Sequence, residues 1–335
     1  MSTPGRVRYG RVAMAVATTV DATEYLAPWR SRRVRRPVRL TLTDHSYPLE
    51  PAPEQSWLPV AFRAFAALRD RMAVEDLLIV GTGNGLDALG AAEIFERLRT
   101  LTVTDLHPEC VAVARDNVVA HLVDPEALTL AFHAGDVLSG VRAEQRFSLV
   151  YENLPNLPAA PVVDLRRGRL AGRFFDATAL EVPEPFGAYR LALHHRCLSE
   201  ARPRLREGGG VLTAIGGRMP HEVAFDLHRA CGYAPRLVAF DVKLQVEPEL
   251  VVPPYRDAEA EHGLPFTYYA PEAIALVAAA RRAGLEGEEL EAALASDLDQ
   301  LAMPAREAAG RVARGQPVAH SILMILGERG GEHGR

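Results

Sequence analysis

Short apolar runs alternate with longer stretches of helical period over residues 77–246, and this alternation is the strongest pattern in the chain. The runs at 77–80, 100–104, 128–133, 147–151, 211–215 and 236–246 read as strands. Between them, 86–98, 108–122, 189–205 and 221–231 read as helices, the second with Pro108 in its first turn. Upstream, 58–71 carries Leu58, Val60, Phe62, Phe65, Ala66 and Leu68 at apolar helical positions. Strands alternating with helices predict an α/β fold with a doubly wound parallel sheet.

The flanks are less regular. Residues 1–53 read as an N-terminal extension with a strand near 38–43, and 157–185 as a loop-rich segment. Residues 247–318 hold a proline-bearing loop, the aromatic Phe266-Thr-Tyr-Tyr269 and helical patterns near 271–283 and 288–313. A buried-strand run follows, Ser321-Ile-Leu-Met-Ile-Leu-Gly327. The core is therefore expected to span 54–246 plus 319–328. Residues 247–318 then form a helical insertion before the seventh and last strand, a substrate lid in which Tyr255, Phe266, Tyr268 and Tyr269 either line an apolar wall or pack as core.

Composition narrows the class. Of 335 residues, 48% are hydrophobic and 24% charged, with a formal net charge of -5. Such a chain has a proper core and no overall field for nucleic acid or acidic lipid. No apolar segment is long enough to cross a membrane. Cys110, Cys197 and Cys231 lack disulfide or metal-ligand spacing, which fits a cytoplasmic protein, and the histidines lack metal-ligand spacing as well. Lys243 is the only lysine, read as a mark of GC-rich coding. The basic run 30–39 reads either as a solvated or acid-paired surface or as a phosphate or RNA contact through Arg32, Arg33, Arg35 and Arg36. A homodimer is compatible with the chain.

Chemistry gathers at the ends of the strands. The run 77–80 breaks into Gly81-Thr-Gly-Asn-Gly85 and resumes as a helix. Glycines let backbone approach a ligand where a Cβ would block it, and the helix aims its unpaired N–H groups at the same place. Asp105 closes the second strand, 20 residues beyond Gly85, where an acid can bind a ribose diol. Gly135-Asp136 closes the third strand and Glu152-Asn153 the fourth, facing the same crevice. A nicotinamide-binding reading remains open, because Ala88 stands where the dinucleotide pattern permits alanine.

This series of motifs resembles that of the class I S-adenosylmethionine-dependent methyltransferases. The resemblance runs over about 77–246, with 321–327 matching that fold's antiparallel seventh strand. It implies a seven-stranded Rossmann-like sheet with S-adenosylmethionine as cofactor. Gly81, Thr82, Gly83 and Gly85 would pass under its methionine part, Asp105 and Leu106 would lie at the ribose, and Asp136 and Val137 at the adenine. Asn153-Leu-Pro-Asn156 is similar to the Asn/Asp-Pro-Pro-aromatic motif of nitrogen methyltransferases, but lacks the first proline and the aromatic. Glu152 resembles the glutamate that grips guanidinium in arginine methyltransferases. On these grounds Glu152 and Asn153 are the expected catalytic residues. Glu152, Asn156, Asp176 and Tyr268 are expected at the substrate, with Glu181 and Glu184 as other second acids. His45, within a lid around Asp44 and Tyr47, or His221 could shuttle the proton, whereas His194 and His195 read as packing or surface residues. The expected activity is N-methylation of an amine or guanidino group on a small molecule, arginine included. The alternatives are an RNA or protein side-chain methyltransferase and a non-catalytic or nicotinamide-binding protein.

Overall fold

The computed structural model describes residues 18–29, 32–43, 45–46, 49–50, 52–157 and 181–329. The apolar runs form strands because each side chain of a doubly covered strand is buried. Leu77, Leu78, Ile79 and Val80 are all sealed from solvent in β3 (Asp76–Val80). Around it lie β4 (Thr100–Asp105), β5 (Thr129–Ala134), β6 (Phe147–Glu152), β7 (Leu205–Gly217), β8 (Tyr233–Leu244) and β11 (Ala319–Arg329). Their spatial order is β5-β4-β3-β6-β7-β11-β8, parallel except for β11, which runs antiparallel between β7 and β8. The expected doubly wound sheet and its antiparallel last strand are present.

Alternate residues of each strand feed two apolar cores. On one face Leu77, Ile79, Leu101, Val103 and Tyr151 meet α1 (Leu58–Arg69) and α2 (Leu86–Ile94). On the other, Leu78, Val80, Val150 and Val211 meet α4 (Ala192–Ala201) and α5 (His221–Ala230). The helix α3 (Pro108–His121) packs beside β4 and β5.

Three expectations need correction. First, the proline-bearing stretch is a helix, α6 (Pro248–His262), with Pro253 and Pro254 inside it. Proline disfavours a helix interior, but Val251, Val252, Tyr255 and Ala258 bury a continuous face there, and packing outweighs propensity. Second, the pattern at 288–313 breaks into α8 (Gly287–Leu301), β10 (Ala302–Pro304) and α9 (Ala305–Ala313), with Pro304 at the junction. Third, the aromatic run is not a lid surface. Thr267–Tyr269 is a strand, β9, antiparallel to β10 and bridged to β11 at Ala319, so the sheet has nine strands among the described residues. Tyr255, Phe266, Tyr268 and Tyr269 are buried together, with Tyr255 5.1 Å from Phe266 and 6.2 Å from Tyr268 between ring centres. With α7 (Glu272–Arg282), these elements extend the core.

The N-terminal arm forms a hairpin of β1 (Thr18–Asp21) and β2 (Arg39–Leu42). Its arginines serve the fold. Arg33 donates to the carbonyls of Phe95, Glu96 and Leu98 just past the C-terminus of α2, where a cation also meets the negative end of the helix dipole. Arg35 donates to Val123 O, and Arg36 to Leu26 O and Trp29 O. The buried Glu93 carboxylate accepts the backbone N–H groups of Arg32, Arg33 and Val34 at 2.8–3.0 Å.

Candidate active site

The carboxyl ends of β3, β4 and β6 open on one cleft. Its floor is Val80, Gly81, Thr82, Gly83 and Asn84, with Thr104, Asp105 and Leu106 on one side and Gly135, Asp136 and Val137 on another. Asn153, Leu154 and Pro155 form a third side, while His45, Leu49, Trp57 and Leu58 close it from the arm and α1. Thus seven of the eight expected cofactor residues meet in one place: Gly81, Thr82, Gly83, Asp105, Leu106, Asp136 and Val137.

Gly85 is the eighth, and it serves a different purpose. Gly81, Gly83 and Gly85 all have φ between +60° and +86°, a region where L side chains are strained. A Cβ on Gly81 would lie 3.1 Å from Leu154 at the cleft wall. A Cβ on Gly85 would instead meet Ala114 O and Val118, both at 3.1 Å, so this glycine lets α2 and α3 close together. It does not line the cleft.

The acids differ in state. Asp105 is buried, and it accepts Gly83 N–H at 2.9 Å through Oδ2 and His107 N–H at 3.0 Å through Oδ1. Burial outweighs these bonds and raises its pKa. Asp136 is half exposed and receives Arg196 Nη1 on Oδ2 at 2.6 Å. Asp87, which the motif reasoning passed over, also lines the cleft. Its carboxylate takes the Thr82 hydroxyl at 2.6 Å and Ala88 N–H at 2.8 Å, yet burial pushes its pKa up to about 7. An acid two residues into a helix after a glycine turn was the available signal.

Glu152 departs from expectation. It is two residues after Val150 and shares that residue's face, so it points into α4 and lines neither this cleft nor the cavity beside it. His194 Nδ1 lies 2.8 and 2.9 Å from its two oxygens, both side chains are fully buried, and Oε2 also accepts Leu154 N–H at 3.1 Å. The expected grip on a guanidinium is therefore corrected: Glu152 holds His194 and shapes the turn that carries Asn153. Asp176 lies outside the described residues. Glu181 and Glu184 are exposed and away from both cavities, and Tyr268 is core. Of the histidines, His45 does reach the cleft, stacked on His107 at 4.3 Å with Nε2 3.1 Å from Glu109. Among the described residues these three form the one group with metal-ligand spacing. Their rings are nearly parallel, at 17°, so their in-plane lone pairs do not converge on a common point. His221 is engaged by Glu291 and Ser321 outside both cavities.

A second cavity adjoins the cleft across the shared residues Trp57, Asn153, Leu154 and Pro155. It continues to Asn156, Leu157, Ile215, Gly216, Arg218, Lys243, Gln245, Val251 and His320, at the carboxyl ends of β7 and β8 and the start of β11. Asn156 lines it, donating to Gly216 O at 3.2 Å and accepting the Tyr255 hydroxyl on its own carbonyl. Sequence reasoning missed Arg218, Lys243 and His320. A lone lysine inside an apolar strand was the signal, and it had been read as composition.

No protein-family model and no curated protein matches the sequence. Among solved structures, the chain is similar to the YcgJ protein from Bacillus subtilis, at 13% identity over 79% of this chain and 97% of that one, with a TM-score of 0.41. It is similar to a putative methyltransferase from Bacillus halodurans C-125, at 15% identity over 79% and 98%, with a TM-score of 0.39. It is also similar to the 16S rRNA N2 G1207 methyltransferase from T. thermophilus in complex with AdoMet and guanosine, at 18% identity over 63% and 47%, with a TM-score of 0.38. At these identities, activity and substrate rest on this chain's own residues.

Proposed function

We propose that the chain binds S-adenosylmethionine in the glycine-floored cleft and directs its methyl group to a nitrogen of a small molecule held in the adjoining cavity. One observation carries this reading: the two cavities share a wall, Asn153-Leu-Pro155, at the carboxyl edge of the sheet. The cleft residues fit the cofactor. Left-handed glycines expose backbone at the floor, Asp105 stands where a ribose diol needs an acceptor, and Asp136 engages only Oδ2 among the described hydrogen bonds. Bound there, the cofactor would supply an already activated methyl group.

The protein's own work is then orientation and exclusion of water, and orientation alone is worth on the order of 7–11 kcal/mol. Asn153, on the shared wall, offers a side-chain carbonyl to a substrate N–H. Trp57 and Leu154 cover the junction with apolar surface. The RNA alternative would draw on Arg32, Arg33, Arg35 and Arg36, of which the last three donate to backbone carbonyls of the fold.

Crystals soaked with S-adenosylhomocysteine test the proposal. Adenine density beside Asp136 and ribose density at Asp105 are expected. A ligand lying elsewhere, or with its adenine over the second cavity, contradicts it.

A further inference from the structure

We propose that the second cavity is an acid-recognising subsite. It takes a small molecule that carries a carboxylate beside Arg218 and Lys243, so that the methyl acceptor is an amino-acid-like or guanidino-acid-like compound and not a neutral amine. Only the word acceptor rests on the cofactor reading; the subsite stands on its own residues.

Arg218 is 4% exposed, Lys243 7% and His320 3%. Charges taken out of water need a partner of opposite sign or a dense set of acceptors. No carboxylate lines this cavity among the described residues, and the case for an incoming one rests on Arg218, whose described partners are all neutral. Its guanidinium donates to Gln245 Oε1 from Nε at 3.0 Å and from Nη2 at 2.7 Å. The Tyr255 ring lies 5.5 Å away on its face. The hydroxyl-bearing side chains of Tyr255 and Tyr268 also engage the guanidinium, and Nη1 packs so closely on Gly216 that a Cβ there would come within 2.5 Å of it. A buried guanidinium whose partners are all neutral, lining a cavity, suits a carboxylate that would neutralise it.

The topology brings the other groups alongside. His320 and Lys243 are cross-strand partners on β11 and β8, and Ser321 pairs with Gly217 next to Arg218. Lys243 Nζ donates to Gln55 O at 2.9 Å. His320 Nδ1 lies 2.8 Å from Ser321 O, so it carries the proton and donates, while the buried Nε2 has no partner. Burial and the two neighbouring cations, Arg218 first, hold the imidazole well below its usual pKa, so it is neutral. The subsite thus offers the Arg218 guanidinium for an oxyanion, with the Lys243 side chain on the same wall, and one His320 lone pair for an N–H or O–H of the same ligand. Its volume, about 100 Å³, amounts to on the order of seven to ten water-sized spaces, which suits a small molecule.

Calorimetric titration of the full chain tests this, with and without saturating S-adenosylhomocysteine. The probes are glycine, β-alanine, 4-aminobutyrate and arginine, the amide of each, and inorganic phosphate. At least one acid is expected to bind tenfold or more tightly than its amide. Arg218→Gln should abolish that preference while S-adenosylhomocysteine affinity stays within twofold, and Lys243→Met should reduce it. The acid–amide comparison on the unaltered protein decides the matter even if Arg218→Gln fails to fold. The proposal is overturned if acids and amides behave alike across the series, or if phosphate binds and no carboxylate does. Should S-adenosylhomocysteine fail to bind while an acid still binds, the cofactor reading falls and the subsite stands. The reverse pattern removes only the subsite.

Discussion

Asp87→Asn separates a titrating cleft acid from a merely buried one. The folded chain raises this carboxyl from 3.8 to about 7, because burial outweighs its bonds to Thr82 and Ala88. Below about pH 4 both folded and unfolded chains hold the proton, and the cost vanishes. Between about pH 4 and 7 the folded state keeps a proton that the unfolded state has lost, so unfolding free energy falls as pH rises. Above pH 7 the whole cost is present, on the order of 4 kcal/mol as an upper bound. Asparagine keeps an oxygen for the Thr82 hydroxyl and cannot ionise. Urea denaturation of both proteins from pH 4 to 8 should show their stability difference shifting by about 2–4 kcal/mol in favour of the variant. Other perturbed groups, such as His228, which burial lowers to about 4, contribute equally to both proteins and cancel. A difference that stays constant with pH would refute the reasoning, because a steric effect of the amide has no such slope.

If S-adenosylmethionine binds the cleft as proposed, the same substitution should weaken this cation more than its neutral thioether product at pH 8, because Asp87 lines the cleft; competitive titration of the two checks this. Gly85→Ala should cost about 1–3 kcal/mol through its positive φ and the Ala114 contact, yet leave S-adenosylhomocysteine affinity unchanged, as denaturation and calorimetry would show. Glu152→Ala strips a fully buried partner from His194 and should destabilise by roughly 3–5 kcal/mol. Glu152→Gln retains an acceptor and should recover most of that loss in a urea melt, an outcome that a purely catalytic glutamate would not give. Arg33→Ala should lower stability by about 1–2 kcal/mol by uncapping α2, with retention on heparin unaltered.

Much of this architecture could be read from the chain because the sheet is buried on both faces. A run such as Leu77–Val80 has no solvent side to confuse its pattern, and the turn after it carries glycine at its three positive-φ positions, Gly81, Gly83 and Gly85. Strand-end acids were legible from their place: Asp105 ends β4 and Asp136 follows β5 by two residues, and both line the cleft. Glu152 was misread because sequence position gave its place along β6 but its face was set by α4, which supplies His194 from 42 residues away. Tyr268 was misread because an aromatic run at 266–269 suits a cavity wall and a core strand equally, and only β10 and β11 decide between them. The second cavity was invisible because Arg218, Lys243 and His320 come from three strand ends far apart in sequence, and no local spacing joins them.

Calorimetry with S-adenosylhomocysteine and with NAD(P)H, on the unaltered chain and on Asp105→Asn, bears most directly on the central claim. The structure predicts one S-adenosylhomocysteine site per chain, weakened at least tenfold by Asp105→Asn, and no NAD(P)H binding. Binding of NAD(P)H without S-adenosylhomocysteine would contradict it.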